Sequence, residues 1–302
     1  MKLNMLLLPV LIGLILTPST MAGTNSYPTN NYGLINMTNE NTVSLRGPVT
    51  TFSVSQVTEQ LLSKSGESDL YLYLSTPGGS VVDGYQLVQV IDTLYRNGVT
   101  VHCVADVAIS MGFVIFQSCP ERHVRASTIL MQHQMSFGTR GPIEHVKNYV
   151  DFVNHMESEI LVRQANRLGM TPEQFKQKTV SDWWTYGHET MNQNLADSMV
   201  LVSCSEEMTH MNDTVKVMSF FGPVNVVFNR CPLISAPKKI EFARSLQLDQ
   251  GKASAVTNFD RENRRIAAMF DVQRIPTVGG SFQDYLDYIT ETPEVSEPMD
   301  YF

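Results

Sequence analysis

Apolar and polar positions along this chain follow two rhythms that alternate. Thr42–Leu45, Leu70–Leu74 and Val99–Val104 are short apolar runs containing β-branched or aromatic residues, and they predict strands. Between them, Ser55–Ser63 and Val81–Tyr95 carry apolar residues at helical spacing. Strands alternating with helices imply βαβ units and a largely parallel sheet, hence an α/β fold. Further on, Ile143–Leu168 is a long amphipathic segment with Ile143, Val146, Val150, Val153, Ile160, Leu161 and Leu168 near helical spacing. Its apolar face needs a partner. A second, smaller α/β unit is expected over 206–290, with Val224–Phe228 as a strand, Pro237–Leu246 and Arg261–Phe270 as helices, and Phe282–Ile289 as a closing helix.

The ends of the chain break both rhythms. Residues 1–22 read as a secretory signal, with Lys2 as a minimal basic end, an apolar stretch from Met5 to Leu16, and the small residue Ala22 at the cleavage point. That stretch is twelve residues interrupted by Pro9, short of the roughly 20 needed to span a bilayer. Residues 23–41 are rich in Ser, Thr, Asn, Pro and Gly and predict a flexible arm; residues 291–302 form an acidic tail.

Composition then narrows the partners. The 302 residues are 43% hydrophobic and 17% charged, enough to bury a real core. The net charge is −8, and removing residues 1–22 with their one lysine makes it −9. An acidic chain of this kind is a poor match for nucleic acid. The four cysteines, Cys103, Cys119, Cys204 and Cys231, show no CxxC spacing, and no HExxH motif is present. No metal site or cofactor is therefore expected, and in an exported chain an even cysteine count points to disulfides.

Three short patterns carry candidate chemistry. Ser75-Thr-Pro-Gly-Gly-Ser80 follows a strand; its paired glycines let a turn approach a ligand and aim backbone N–H groups into a cleft, although a plain Pro-Gly turn would use the same residues. Ala108-Ile-Ser-Met-Gly112 places Ser110 at a strand-to-helix turn, where it could either cap the helix or stand exposed as a nucleophile. Leu130-Met-Gln-His-Gln134 ends a short apolar run with His133, suited to exchange a proton near neutral pH or to serve as an ordinary structural histidine.

In that order the three patterns resemble the Clp protease proteolytic subunit family, over about Thr42–Ser203, with Asp69-Leu-Tyr-Leu-Tyr-Leu before the loop and Ala196-Asp-Ser-Met at the end. The resemblance implies a crotonase-like core of repeated ββα units with a long protruding helix, occupying residues 42–205. It makes Ser110 the nucleophile, His133 the general base, and Gly79 and Met111 the donors of the oxyanion hole. The acid falls in Thr179-Val-Ser-Asp-Trp-Trp-Thr-Tyr186, at Asp182; Asp197 is the rival. The bulk of Trp183 and Trp184 departs from the family pattern beside Asp182. The implied activity is serine endopeptidase action on peptides or unfolded proteins, in a homo-oligomer. An exported copy, periplasmic or secreted, would work without an ATPase partner.

Other classes share parts of this pattern. An inactive scaffold could keep the fold, and an acyl-CoA enzyme of the crotonase type could share the oxyanion loop. Serine–lysine relatives of similar fold need a lysine base, yet none occurs between Lys64 and Lys147. In the second unit, Val224–Pro232 and Phe270–Thr277 resemble a degenerate thioredoxin-like domain, which would make Pro276 a cis-proline beside Cys231. Position 234 is Ile rather than a second cysteine, so peptide binding or a structural role is expected there.

The cysteines can be paired by geometry. In a strand–turn–helix unit the helix folds back along the strand, so Cys103 early in the strand and Cys119 just past the helix should lie at the same end, away from Ser110. Cys204 and Cys231 then pair by elimination and tie the second unit to the first.

Overall fold

The computed structural model describes residues 32–219, 222–242 and 253–271. In chain order the elements are β1 (Gly33–Met37), β2 (Thr42–Arg46), α1 (Thr51–Ser63), β3 (Asp69–Thr76), α2 (Val81–Arg96), β4 (Thr100–Ile109), α3 (Met111–Ser118), β5 (Glu121–Gln132), α4 (Ile143–Leu168), α5 (Pro172–Thr179), β6 (Trp183–Tyr186), α6 (Glu189–Asn192), β7 (Ser198–Cys204), α7 (Glu206–His210), β8 (Asn212–Ser219), β9 (Gly222–Asn229), β10 (Lys239–Phe242) and α8 (Ala253–Phe270). Seven strands form one sheet. Its order is β1-β7-β5-β4-β3-β2, all parallel, with β6 antiparallel on β5.

The central strands β3 and β4 are covered on both faces, which is why they read as nearly continuous apolar runs. Leu70, Leu72, Leu74, Cys103, Ala105 and Ala108 face the helices, in one core with residues of α1, α2, α3 and α4. Tyr73, Val104, Val107, Ile109 and Met131 face the other way. The parity of β4 switches partway: Cys103 and Ala105 are odd-numbered and Ala108 is even, yet all three face the helices. The pairing with β3 steps from Leu74↔Ala105 to Ser75↔Val107, so Asp106 is an extra, bulged residue. Its carboxylate is buried and paired with Arg125 Nη1 at 3.0 Å.

The arm expected over 23–41 is in part structured, because Gly33–Met37 is an edge strand paired with β7. Ile35 and Met37 are buried there while Leu34 and Asn36 face outward, a period of two too short to stand out among polar neighbours. The long helix α4 is divided along its length. From Val153 onward it buries Val153, Ile160, Gln164, Ala165 and Leu168, whereas before that point Ile143 is 72% exposed and Tyr149 and Phe152 are exposed. Gly169, at φ 68°, stops the helix in the left-handed conformation.

The second unit is a three-stranded antiparallel sheet, β8-β9-β10, covered by α8. Val215, Val217, Val224, Val226 and Phe228 pack against Ile266, Met269 and Phe270. The helix expected over Pro237–Leu246 is corrected: Lys239–Phe242 is a strand paired with Val224–Val227 of β9. Ile240 and Phe242 pack inward and alternate with Lys239 and Glu241, so the β period wins where β9 offers an edge. The expected helix at Arg261–Phe270 is present as the second half of α8. The expected helix at Phe282–Ile289, the cis-proline at Pro276, the acidic tail and the signal segment lie outside the described residues.

Both expected disulfides are formed. Cys103 and Cys119 have Cα atoms 5.9 Å apart, and Cys204 and Cys231 5.8 Å apart. Beside the second bridge, the buried guanidinium of Arg46 donates to the carbonyls of Asn229 (2.9 Å) and Ile234 (3.1 Å) and lies over the Phe228 ring.

Candidate active site

Ser110 sits between the last residue of β4 and the first of α3, with φ 54°. A non-glycine residue in this region is strained by about 1–3 kcal/mol. The strain is held in place by the Ser110 N–H, which donates to Met131 O at 2.9 Å, and by the N–H groups of Phe113 and Val114, which donate to Ser110 O. The capping role open to this serine is not used, since its hydroxyl makes no cap hydrogen bond. Instead, Ser110 Oγ lies 2.8 Å from His133 Nε2. The bulge at Asp106 is what makes this possible. Without the parity switch, the even-numbered Ser110 would follow Val104 onto the far face of the sheet.

His133 is the first residue past β5 and is half-buried. Burial lowers its pKa below the ordinary histidine value, partly opposed by the negative charge of Asp182. The imidazole is therefore neutral near pH 7 and able to accept a proton. Asp182 immediately precedes β6, whose last antiparallel pair with β5 is Gln132↔Trp183. One step beyond that pair, Asp182 falls opposite His133. The two indoles expected to crowd this position diverge: Trp183 packs with Phe113 and Phe175 and donates to Gln193 Oε1 at 2.9 Å, while Trp184 joins the cluster on the other face.

The rival carboxylate is committed elsewhere. Asp197 accepts from Arg122 N, Nε and Nη2 at 2.8, 3.0 and 2.6 Å and from Arg167 at 3.2 Å. This cluster lies where β5 begins, at the opposite end of the sheet from His133.

The glycine loop lies against the serine turn. Both glycines have positive φ, 88° at Gly78 and 143° at Gly79. A Cβ at Gly78 would come within 2.6 Å of Ile109 O, and one at Gly79 within 2.4 Å of Val49 O. Backbone bonds on either side pin the loop to Val49: Val49 N–H donates to Gly78 O and Ser80 N–H to Val49 O. Met111 opens α3, so its N–H is among those a helix leaves without an internal acceptor. A cleft open to solvent holds Ser110 and His133; its walls include Val81, Val114, Ile160, Leu161 and Phe175. Two further lining residues, Gln132 and Gln164, were not anticipated from sequence. The one signal was a glutamine inside an otherwise apolar run beside His133.

A parallel-sheet protein with a serine–histidine pair at a strand-to-helix turn, facing a glycine loop, is a hydrolase-like architecture. Comparison with known proteins gives the family: residues 28–202 match the Clp protease family model. The chain is 29% identical over 169 residues to the ATP-dependent Clp protease proteolytic subunit 2 of a Synechococcus strain, covering 53% of this chain and 83% of that protein. Against the proteolytic subunit of Streptococcus gordonii it is 28% identical over 165 residues, 52% of this chain and 83% of the relative. Against proteolytic subunit 1 of Streptomyces coelicolor the figure is 25% over 165 residues, 53% and 74%. The chain belongs to the Clp protease family. The matched segment takes in β1 and stops before the second unit.

Proposed function

We propose that the protein is a serine endopeptidase acting on peptides or unfolded chains. The observation that carries this reading is the 2.8 Å contact between Ser110 Oγ and a neutral His133 Nε2 at a strained turn. In the forward step, Ser110 Oγ attacks the scissile carbonyl while His133 takes the hydroxyl proton. The oxyanion receives N–H donation from Gly79 and Met111. His133 then returns the proton to the departing amine, leaving an acyl group on Ser110 Oγ. Water, deprotonated by His133, adds to the ester, and the serine leaves with the proton. Asp182 orients the imidazole and stabilises its cation. The apolar walls receive the side chain whose carbonyl is attacked.

A scaffold without activity would have no use for a serine held out of its capping role, and this favours the enzyme. The exposed half of α4 supports self-association, with Ile143, Tyr149 and Phe152 as the contact. Two disulfides support export to an oxidising compartment. The relatives are ATP-dependent by name; an exported chain of this family works without ATP. Labelling the purified protein with a fluorophosphonate and mapping the adduct tests the reading. A single adduct on Ser110, absent in Ser110→Ala, is expected; no adduct, or one elsewhere, overturns it.

A further inference from the structure

The cleft beside Ser110 is not uniformly apolar. Gln132, the last residue of β5, and Gln164, on α4, both line it and are 5% and 3% exposed. They are joined in one chain of bonds. Gln164 Nε2 donates to Ile160 O at 3.4 Å, and Gln132 Nε2 donates to Gln164 Oε1 at 2.9 Å. This fixes the direction of both carboxamides and leaves Gln132 Oε1 as a buried acceptor with no donor among the described residues.

A buried carbonyl without a partner is unfavourable, and an apolar pair at these positions would fill the same space without the penalty. Parity says where the side chain goes: Leu130 faces the helices, so Gln132 does too, on the side where α4 and Phe175 wall the cleft. The residue that carries the acceptor therefore lines the pocket that, on the peptidase reading, takes the substrate side chain, with the acceptor itself buried just behind the wall.

We infer that Gln132 Oε1 is a specificity element, and that the enzyme favours glutamine as the residue whose carbonyl Ser110 attacks. This rests on the peptidase reading above. A glutamine carboxamide is long, neutral and carries an N–H that can donate to Gln132 Oε1. Methionine matches it in length and has no donor. A lysine ammonium could donate, but it would lose its hydration between apolar walls. A site that hydrogen-bonds a substrate group discriminates more steeply against analogues lacking it than an apolar pocket does.

The test is a set of fluorogenic peptides identical except for glutamine, methionine, leucine or lysine at that position, assayed on the full-length protein. Glutamine is expected to exceed methionine in kcat/KM by about tenfold or more. The double variant Gln132→Leu/Gln164→Leu, which removes both ends of the bonded pair, should reverse that order. Methionine or leucine equal to or better than glutamine in the unaltered protein overturns the inference, as does a ratio that the double variant leaves unmoved. Should the double variant not fold, the ratio in the unaltered protein decides. Failure of the two proposals is distinguishable: a protein that takes fluorophosphonate at Ser110 but prefers methionine defeats only this one, whereas no labelling and no cleavage defeats both.

Discussion

Strands β4 and β5 carry a polar cluster at each end, and the two are built on opposite terms. Where the strands begin, Arg122 is almost fully buried and its charge is met by Asp197, while Gln117 Oε1 accepts from the same guanidinium. Nearby, Asp69, His102, His123 and Ser198 form a continuous chain of contacts at 2.9, 3.1 and 2.7 Å. Where the strands end, Ser110 is strained, its hydroxyl is held off the helix it could cap, and Gln132 leaves an acceptor unmet. The first cluster spends its polar groups on one another, and the second leaves them the capacity to meet the substrate that the proposed function requires. Local strain, more than polarity itself, separates the candidate site from the structural cluster.

That contrast can be broken by substitution, most forcefully at Ser110. Ser110→Ala should lower kcat/KM by about 10⁶-fold, as removal of a nucleophile does in a triad, with thermal stability unchanged. Ser110→Gly should lose activity equally yet gain about 1 kcal/mol through relief of the positive φ, read from denaturant melts. An active Ser110→Ala protein would undo the assignment.

Next in size is the comparison of the two carboxylates. Asp182→Asn should reduce kcat/KM by roughly 10⁴-fold with little change in stability. Asp197→Asn should do the reverse, costing about 3 kcal/mol because it leaves Arg122 buried without its counter-charge, while the folded fraction keeps its kcat/KM. An inverted pattern would relocate the acid.

Acidification should affect the two ends differently. His133, lowered by burial, has to be neutral to act, so the acid limb of kcat/KM should fall below pH 6.5, the ordinary histidine value. His123, lowered to about 4 by burial and by neighbouring His102, binds its proton more readily when unfolded. Its contribution to stability is complete above pH 6.5 and declines as pH falls from there through about 4. His123→Gln should flatten that slope in urea melts without moving the acid limb of activity. A slope that persists would assign the sensitivity to other groups.

Smallest in its effect on activity is the first disulfide. Replacing Cys103 and Cys119 by serine should cost about 3 kcal/mol on the loop-closure estimate, and kcat/KM should hold, since the bridge sits at the structural end. A large loss of activity at equal stability would mean that the two ends communicate.

Much of the candidate site was legible because its residues fall in short local patterns. Ser110 sits in one five-residue pattern and His133 in another, and the glycines at 78 and 79 advertise a turn that no other residue could make. The parallel sheet and α4 followed from periodicity over long windows. What stayed hidden depends on distant partners. β1 is a strand because β7, over 160 residues later, offers it an edge, and β10 is one because β9 does. The Gln132–Gln164 bond joins a strand to a helix 32 positions away, and neither residue alone marks the pocket. The bulge at Asp106 shows in the sequence only as one charged residue inside an apolar run, which by itself does not announce a change of parity.

That bulge also bears on how this chain can change over generations. Substitution along β4 alters packing one side chain at a time and leaves the direction of the strand intact. Deleting Asp106 would instead turn every later residue through the sheet, sending Ser110 to the face opposite His133. A lineage could therefore drift widely in β4 composition and still hold Ser110 against His133, yet a single lost codon there would part the pair while sparing most of the core.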